Sequence, residues 1–257
     1  MMSSSSTVSI VIRTRNEERW IAHCLHMVFR QSHEDFDVII VDNRSTDHTL
    51  KLAEKFPVKV VSIDEYRPGR ALNAGIRASE GDLIACLSAH CIPKSEAWLS
   101  SLVRNLDDTK IAGVYGRQVP MAFSSDADKR DLLITFGLDH RIQKKDAFFH
   151  NANSLVRRSI WEDLPFDEDV TNIEDRVWAK AILEAGYHIA YEPEAVVYHH
   201  HGIHQDRDLD RARGVVQVLE GIDSDQTLNG LPDIYEPERL SVAALLPVLG
   251  QPEQLGS

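Results

Sequence analysis

Two short stretches hold side chains whose type and spacing suit chemistry. Ser88-Ala89-His90 closes an apolar run, Asp82 to Leu87, and so sets a hydroxyl and an imidazole at the end of a buried strand. Tyr198-His199-His200-His201-Gly202-Ile203-His204 gathers four more imidazoles. If the chain is extended there, alternation puts His199 and His201 on one face and His200 on the other, so not all can converge. Imidazoles ligate metals or contact phosphates, but a solvated strand end accounts for the same histidines, and a lone His90 also serves as a hydrogen-bonded structural residue. Glu174-Asp175 opens a helical pattern, where two acids complement the helix dipole.

The elements that must position these groups follow a βαβ rhythm. Val8 to Ile12, Phe36 to Val41, Val58 to Ile63 and Asp82 to Leu87 read as strands. Helices are expected between them, the first reaching about Arg30, the second to Phe56 and the third from Arg70 to Ala78. This spacing predicts right-handed crossovers and a largely parallel sheet, which places strand ends such as Ser88 and Asp42 at the edge where open α/β sheets bind ligands. Pro93 is expected to stop further strand pairing. Beyond it, a helix is predicted from Glu96 to Leu106 and a strand in Ile111 to Val119. Asp126 to Lys145 is an exposed helix or a mobile loop, and Ala147 to Val156 returns to the sheet. Glu174 to Ala185 is a helix ended by Gly186, and Tyr187 to Tyr191 and Ala195 to Tyr198 are short strands.

Composition narrows the function. With 257 residues, 43% of them hydrophobic, the chain can bury a full core. Twenty-eight Lys and Arg against 40 Asp and Glu give a net charge of −12, which disfavours nucleic acid as a partner but leaves room for a local basic pocket around a small anion. Three cysteines without zinc spacing read as free thiols. The opening MMSSSST lacks the features of a signal peptide, and no run of about 18 apolar residues is present to span a bilayer. A cytoplasmic protein is expected, free or held at the inner face of a membrane. The expected division is one domain over 1–210 and a tail or linker over 211–257, with Leu240 to Leu249 apolar enough to dock.

VSIVIRTRNEE, VIIVDNRSTDHT, GRALNAGIRASEGDLIACLSAH and NIEDRVWAKAILEAGY, in this order, resemble the family 2 glycosyltransferases over residues 7 to 204. The resemblance implies a GT-A fold, a Rossmann-like mixed and mostly parallel sheet flanked by helices. It also implies an inverting enzyme that moves a sugar from a nucleotide-sugar donor to a hydroxyl of a carbohydrate or lipid-linked acceptor. On that likeness Thr14, Arg15, Glu17, Asp42, Arg44 and Ser88 face the nucleotide, with Ser45 beside them. Arg70 and Asn73 match an Arg-x-x-Asn element whose guanidinium would grip a diphosphate. Asp175 is the expected general base, with Glu174 orienting it or the acceptor.

One motif departs from the family. Ser88-Ala89-His90 stands where an Asp-x-Asp usually holds a divalent cation. His90, with His199 and His201 from the later cluster, is then the candidate ligand set for Mn²⁺ or Mg²⁺, and the nitrogen donors suit Mn²⁺ better. The plain alternatives are that Thr14 and Asn16 cap a helix, Asp42 shapes a turn, Arg70 makes a surface ion pair, and Trp161 and Trp178 pack in the core rather than on sugars. Two other functions fit the same blocks. One is a catalytically inactive GT-A module that binds a nucleotide within a larger protein. The other is a metal-independent transferase using a nucleoside monophosphate sugar.

Overall fold

A computed structural model describes residues 7–201 together with Val218. The expected tail, apart from Val218, as well as Leu240 to Leu249 and His204, lies outside the described residues. Strand β1 (Val8–Thr14) leads into helix α1 (Ile21–Val28), followed by β2 (Phe36–Asp42), α2 (Thr49–Ala53), β3 (Lys59–Ser62), α3 (Pro68–Arg77) and β4 (Leu83–Ser88). The second half adds β5 (Cys91–Pro93), α4 (Trp98–Val103), β6 (Ile111–Pro120), α5 (Asp126–Thr135), β7 (Arg141–Gln143), β8 (Asn153–Arg157), α6 (Arg158–Asp163), α7 (Glu174–Glu184) and β9 (His188–His199).

The nine strands form one mixed sheet in the order β3-β2-β1-β4-β8-β6-β9-β5, with β7 on β9. Its first half is parallel, as the βαβ spacing predicts: β1 pairs with β2 and β4, and β2 with β3. The second half is mostly antiparallel, with only β6 and β9 running side by side. Both faces are covered. Val8, Ile10 and Ile12 join one core with Leu25, Trp98 and Leu102, whereas Val11, Ile39 and Cys86 join the other with Leu72, Trp161 and Trp178. That double burial explains why the strands read as continuous apolar runs rather than alternating ones. All three cysteines are buried free thiols, and both tryptophans are core residues.

Three details differ from the sequence expectation. Pro93 does not end pairing: it closes β5, opposite Val197, and β5 is an edge strand, where a missing N–H costs little. The two expected short strands after Tyr187 are one strand, β9, whose middle carries a register shift against β6. Residues 126–145 are neither all helix nor all loop, because α5 is capped by Ser125, whose hydroxyl accepts from Asp128 N, and β7 then hydrogen-bonds to β9. Among the described residues no helix is long and apolar enough to cross a membrane.

Helix α3 lies on the parallel half through Gly75, where a Cβ would come within 2.4 Å of Val11 Cγ1 and 2.6 Å of Val41 Cγ2. Gly75→Ala should therefore destabilise the protein by about 1–3 kcal/mol through overpacking, despite alanine's better helix propensity. Denaturant melts of the two proteins check this; an unchanged midpoint would show that α3 can lift off the strands freely.

Candidate active site

The cleft lies at the carboxyl edge of the parallel strands and is lined from both halves of the sheet. β1 contributes Arg13 and Thr14, β4 contributes Ser88, and the loop after β1 contributes Arg15 and Glu17. From the second half come His150 and Ala152 ahead of β8, residues 171–176 at the start of α7, and His199 and His201 around the end of β9. The ends of β1 and β2 meet closely, since Asn43 N donates to Thr14 O at 3.0 Å. Two buried oxygens there, Thr14 Oγ1 and Asp42 Oδ1, have no hydrogen-bond partner among the described residues, although the other Asp42 oxygen accepts from Ser45 N. Unsatisfied buried acceptors are costly, so these atoms are prepared for a ligand.

The acidic pair sits at the N-terminus of α7. Ile173 just before it has φ 49°, a left-handed backbone that is strained for a β-branched residue. The turn it makes aims the first residues of α7 into the cleft. Asp175 Oδ2 accepts from Asn151 N at 3.1 Å, and its Oδ1 from Arg176 N at 2.9 Å. Glu174 Oε1 accepts from Arg13 at 2.9 Å and from the Asn151 amide at 3.3 Å. Both carboxyls are pushed above the usual carboxylate range, chiefly by burial; Asp175 raises Glu174 further, and Arg13 pulls both back. A carboxylate raised in this way is a better proton acceptor.

Opposite the acids, His90, His199 and His201 form a cluster whose candidate ligand atoms all lie within 4.8 Å of one another. His90 and His199 stack with centroids 5.2 Å apart. His200, just past the end of β9, turns away and packs against Trp20 and Phe123. His199 is 2% exposed, its Nε2 has no partner among the described residues, and burial together with its histidine neighbours holds its pKa well below the ordinary value. Three imidazole nitrogens in such a group fit a divalent cation.

Of the residues singled out from sequence, Thr14, Arg15, Glu17, Ser88, His90, Glu174, Asp175, His199 and His201 meet in this cleft. Glu17 differs in its contact: its carboxylate is on His90 Nδ1, at 2.7 Å. Asp42 sits just behind the cleft wall, beside Asn43. Three residues do not come to the cleft. Arg44 extends outward to Asp64 at 2.7 Å, because its left-handed backbone turns the side chain to solvent. Arg70 is taken by Glu65 at 2.7 Å, with Glu168 at 3.9 Å. Asn73 is buried, accepting from Trp161 Nε1 and donating to Phe166 O and Glu168, which makes it a strut between α3 and the segment after α6. The cleft's guanidinium groups come instead from Arg13, Arg15 and Arg176. Arg13 was legible as a charged residue in the last turn of an otherwise apolar strand; Asn151 and Arg176 carried no such signal.

Residues 9–164 match the family model described as glycosyl transferase family 2. The chain is 27% identical over 218 residues to an O-antigen chain rhamnosyltransferase of Salmonella anatum, covering 79% of this chain and 69% of that protein. Among solved structures it is similar to a mannosyltransferase from Pyrobaculum calidifontis in complex with GDP-Man and Mn²⁺, with a TM-score of 0.65, 24% identity and coverage of 84% and 63%. It is also similar to residues 1–349 of S. aureus TarS in complex with UDP, with a TM-score of 0.64, 16% identity and coverage of 91% and 76%. With more than half of its length matched by the family model and a mixed sheet shared with these enzymes, the chain belongs to glycosyl transferase family 2 and is a GT-A glycosyltransferase.

Proposed function

We propose that the protein is an inverting transferase that moves a sugar from a nucleoside diphosphate donor to a hydroxyl of a carbohydrate or lipid-linked acceptor in glycoconjugate synthesis. The observation that carries this reading is the cleft's two-sided character, with unpartnered acceptors and guanidinium groups on the strand-end side facing a buried, hydrogen-bonded carboxylate at the start of α7. On this reading Asp42 Oδ1 and Thr14 Oγ1 hold the base and ribose, and Arg13 and Arg15 face the phosphates, where charge-assisted hydrogen bonds offset the charge of the leaving group. Asp175 takes the proton of the attacking hydroxyl, on the face opposite the departing phosphate. Glu174 is tied to Arg13 and orients that side of the site. His90, His199 and His201 would hold a divalent cation, which supplies neutralisation of the diphosphate when bound.

Calorimetric titration with UDP, GDP, dTDP, CDP and CMP, each with Mn²⁺, Mg²⁺ or EDTA, tests the donor side. One diphosphate should bind well above the rest, and Asp42→Ala should weaken it about tenfold or more, the loss of one hydrogen bond to a charged group. Binding of CMP alone, indifferent to EDTA, would favour the monophosphate-sugar reading. No binding of any nucleotide would overturn the proposal.

A further inference from the structure

Resting on the metal-holding role just proposed for the histidines, we infer that Glu17 and Gln118 are positioning residues that fix the tautomers of a three-imidazole site, and that this site selects zinc-like transition ions and rejects Mg²⁺. Each of two histidines is held from behind. His90 Nδ1 lies 2.7 Å from Glu17 Oε1, and a carboxylate only accepts, so Nδ1 carries the proton. His199 Nδ1 lies 2.7 Å from Gln118 Oε1, an amide oxygen, and carries its proton for the same reason. The remaining Gln118 hydrogen-bonding group, its amide nitrogen, faces His150 Nδ1 at 3.1 Å and donates to it, which anchors the glutamine in this orientation.

In the neutral rings both Nε2 atoms are then left as bare lone pairs. That of His199 is buried and has no partner among the described residues. A proton on it would be an unsatisfied buried donor, whereas a lone pair there is open to a cation or to a hydrogen-bond donor of a ligand. The arrangement is that of imidazoles whose second nitrogen is fixed by a carboxylate or carbonyl so that the first can ligate. Gln118 belongs to β6, two strand positions from the end, and Glu17 follows β1, so two separate elements of the sheet build the support.

The donor set decides the ion. Tetrahedral zinc with Zn–N of about 2.05 Å needs nitrogens about 3.3 Å apart, so the three rings, whose ligand atoms lie within 4.8 Å of one another, would draw together to bind it and leave a fourth position for a ligand oxygen. Mg²⁺ demands six oxygens in octahedral geometry and gains little from neutral nitrogen. Mn²⁺ stands lowest among the first-row ions for such donors, below Co²⁺ and Zn²⁺.

The test uses untagged full-length protein stripped of metal, with no nucleotide present. Zn²⁺ should bind at 1:1, at least about 100-fold tighter than Mn²⁺, with Mg²⁺ not competing. Co²⁺ should give the intense visible bands of a four- or five-coordinate site. Glu17→Ala and Gln118→Leu should each weaken Zn²⁺ about 10- to 100-fold. Glu17→Gln and Gln118→Glu, which keep an accepting oxygen, should recover most of the loss. Since Glu17 sits at the cleft rim, its variants report even if Gln118→Leu fails to fold. Mg²⁺ competing on equal terms, inorganic pyrophosphate binding equally well without metal, or unchanged zinc affinity in both Glu17→Ala and Gln118→Leu would overturn the inference. Zinc binding as expected without turnover of any sugar nucleotide, by Zn²⁺- or Mn²⁺-loaded protein, would leave it standing and sink the transferase mechanism instead.

Discussion

Asp175→Asn should lower turnover about 10²- to 10⁴-fold while nucleotide affinity stays as in the parent protein. The argument is geometric before it is electrostatic. Asp175 enters the cleft from α7, a different element from the strand ends that would hold the nucleotide, so its removal should change proton transfer and leave the hydrogen bonds to the donor in place. The substitution has a structural cost too. The carboxylate accepts from both Asn151 N and Arg176 N, and an amide can accept only one of these bonds on its oxygen. A stability loss of about 1–3 kcal/mol is expected for the donor left facing an NH₂ group. Turnover should therefore be read well below the melting temperature, with Asp175→Ala as companion. Retained turnover in both variants would remove Asp175 from the chemistry, and loss of nucleotide binding along with turnover would show only that the cleft had collapsed.

As the proposed base, Asp175 should also set the acid limb of the pH profile. Burial raises the Asp175 carboxyl above its ordinary value, and a general base works only when deprotonated. Activity should thus fall as pH drops through a midpoint above the usual Asp range, and the neighbouring Glu174, also raised, titrates with it as a pair. A profile flat down to the ordinary carboxylate range would mean that another group takes the proton.

The sheet's first half was readable from the chain because its strands are buried on both faces, so each appeared as an unbroken β-branched run between helical patterns. The second half was harder to read because its pairings are antiparallel and its strands uneven. β7 has three residues, and β9 carries a bulge that looks in sequence like a break between two strands. Ser88 followed from its place at the end of a buried apolar run, whereas Thr14 was singled out by the family resemblance. Arg70 and Asn73 show what spacing cannot decide. The sequence places them one helical turn apart on α3, but their partners, Glu65, Glu168, Phe166 and Trp161, are settled by tertiary packing. Gln118 could not be found at all, since its role depends on a histidine 81 positions away.

Arg13→Met should cost about 3 kcal/mol or more of stability at neutral pH, the penalty for stranding a buried carboxylate. The Arg13 side chain is 15% exposed and that of Glu174 only 5%, so little water can replace the lost guanidinium. Burial and Asp175 already push the Glu174 carboxyl up, with Arg13 opposing them; without Arg13 it rises further. The sign then follows. A carboxyl whose folded pKa lies above its unfolded one is neutral in both states at low pH, and the folded state pays no charge penalty there. As pH rises past the unfolded value, the unfolded chain ionises freely and the folded one cannot, so the deficit grows until the folded pKa is passed. The Arg13→Met deficit should therefore be small near pH 4 and large near pH 8. Adding Glu174→Gln removes the stranded charge and should restore most of the stability at pH 8, because a neutral pair of similar volume has no ion to desolvate. Thermal melts of the single and double variants across that range decide the matter. A deficit independent of pH, or one that Glu174→Gln does not relieve, would mean that Glu174 is already protonated beside Arg13, and that Arg13 acts in folding through packing at the end of β1 alone.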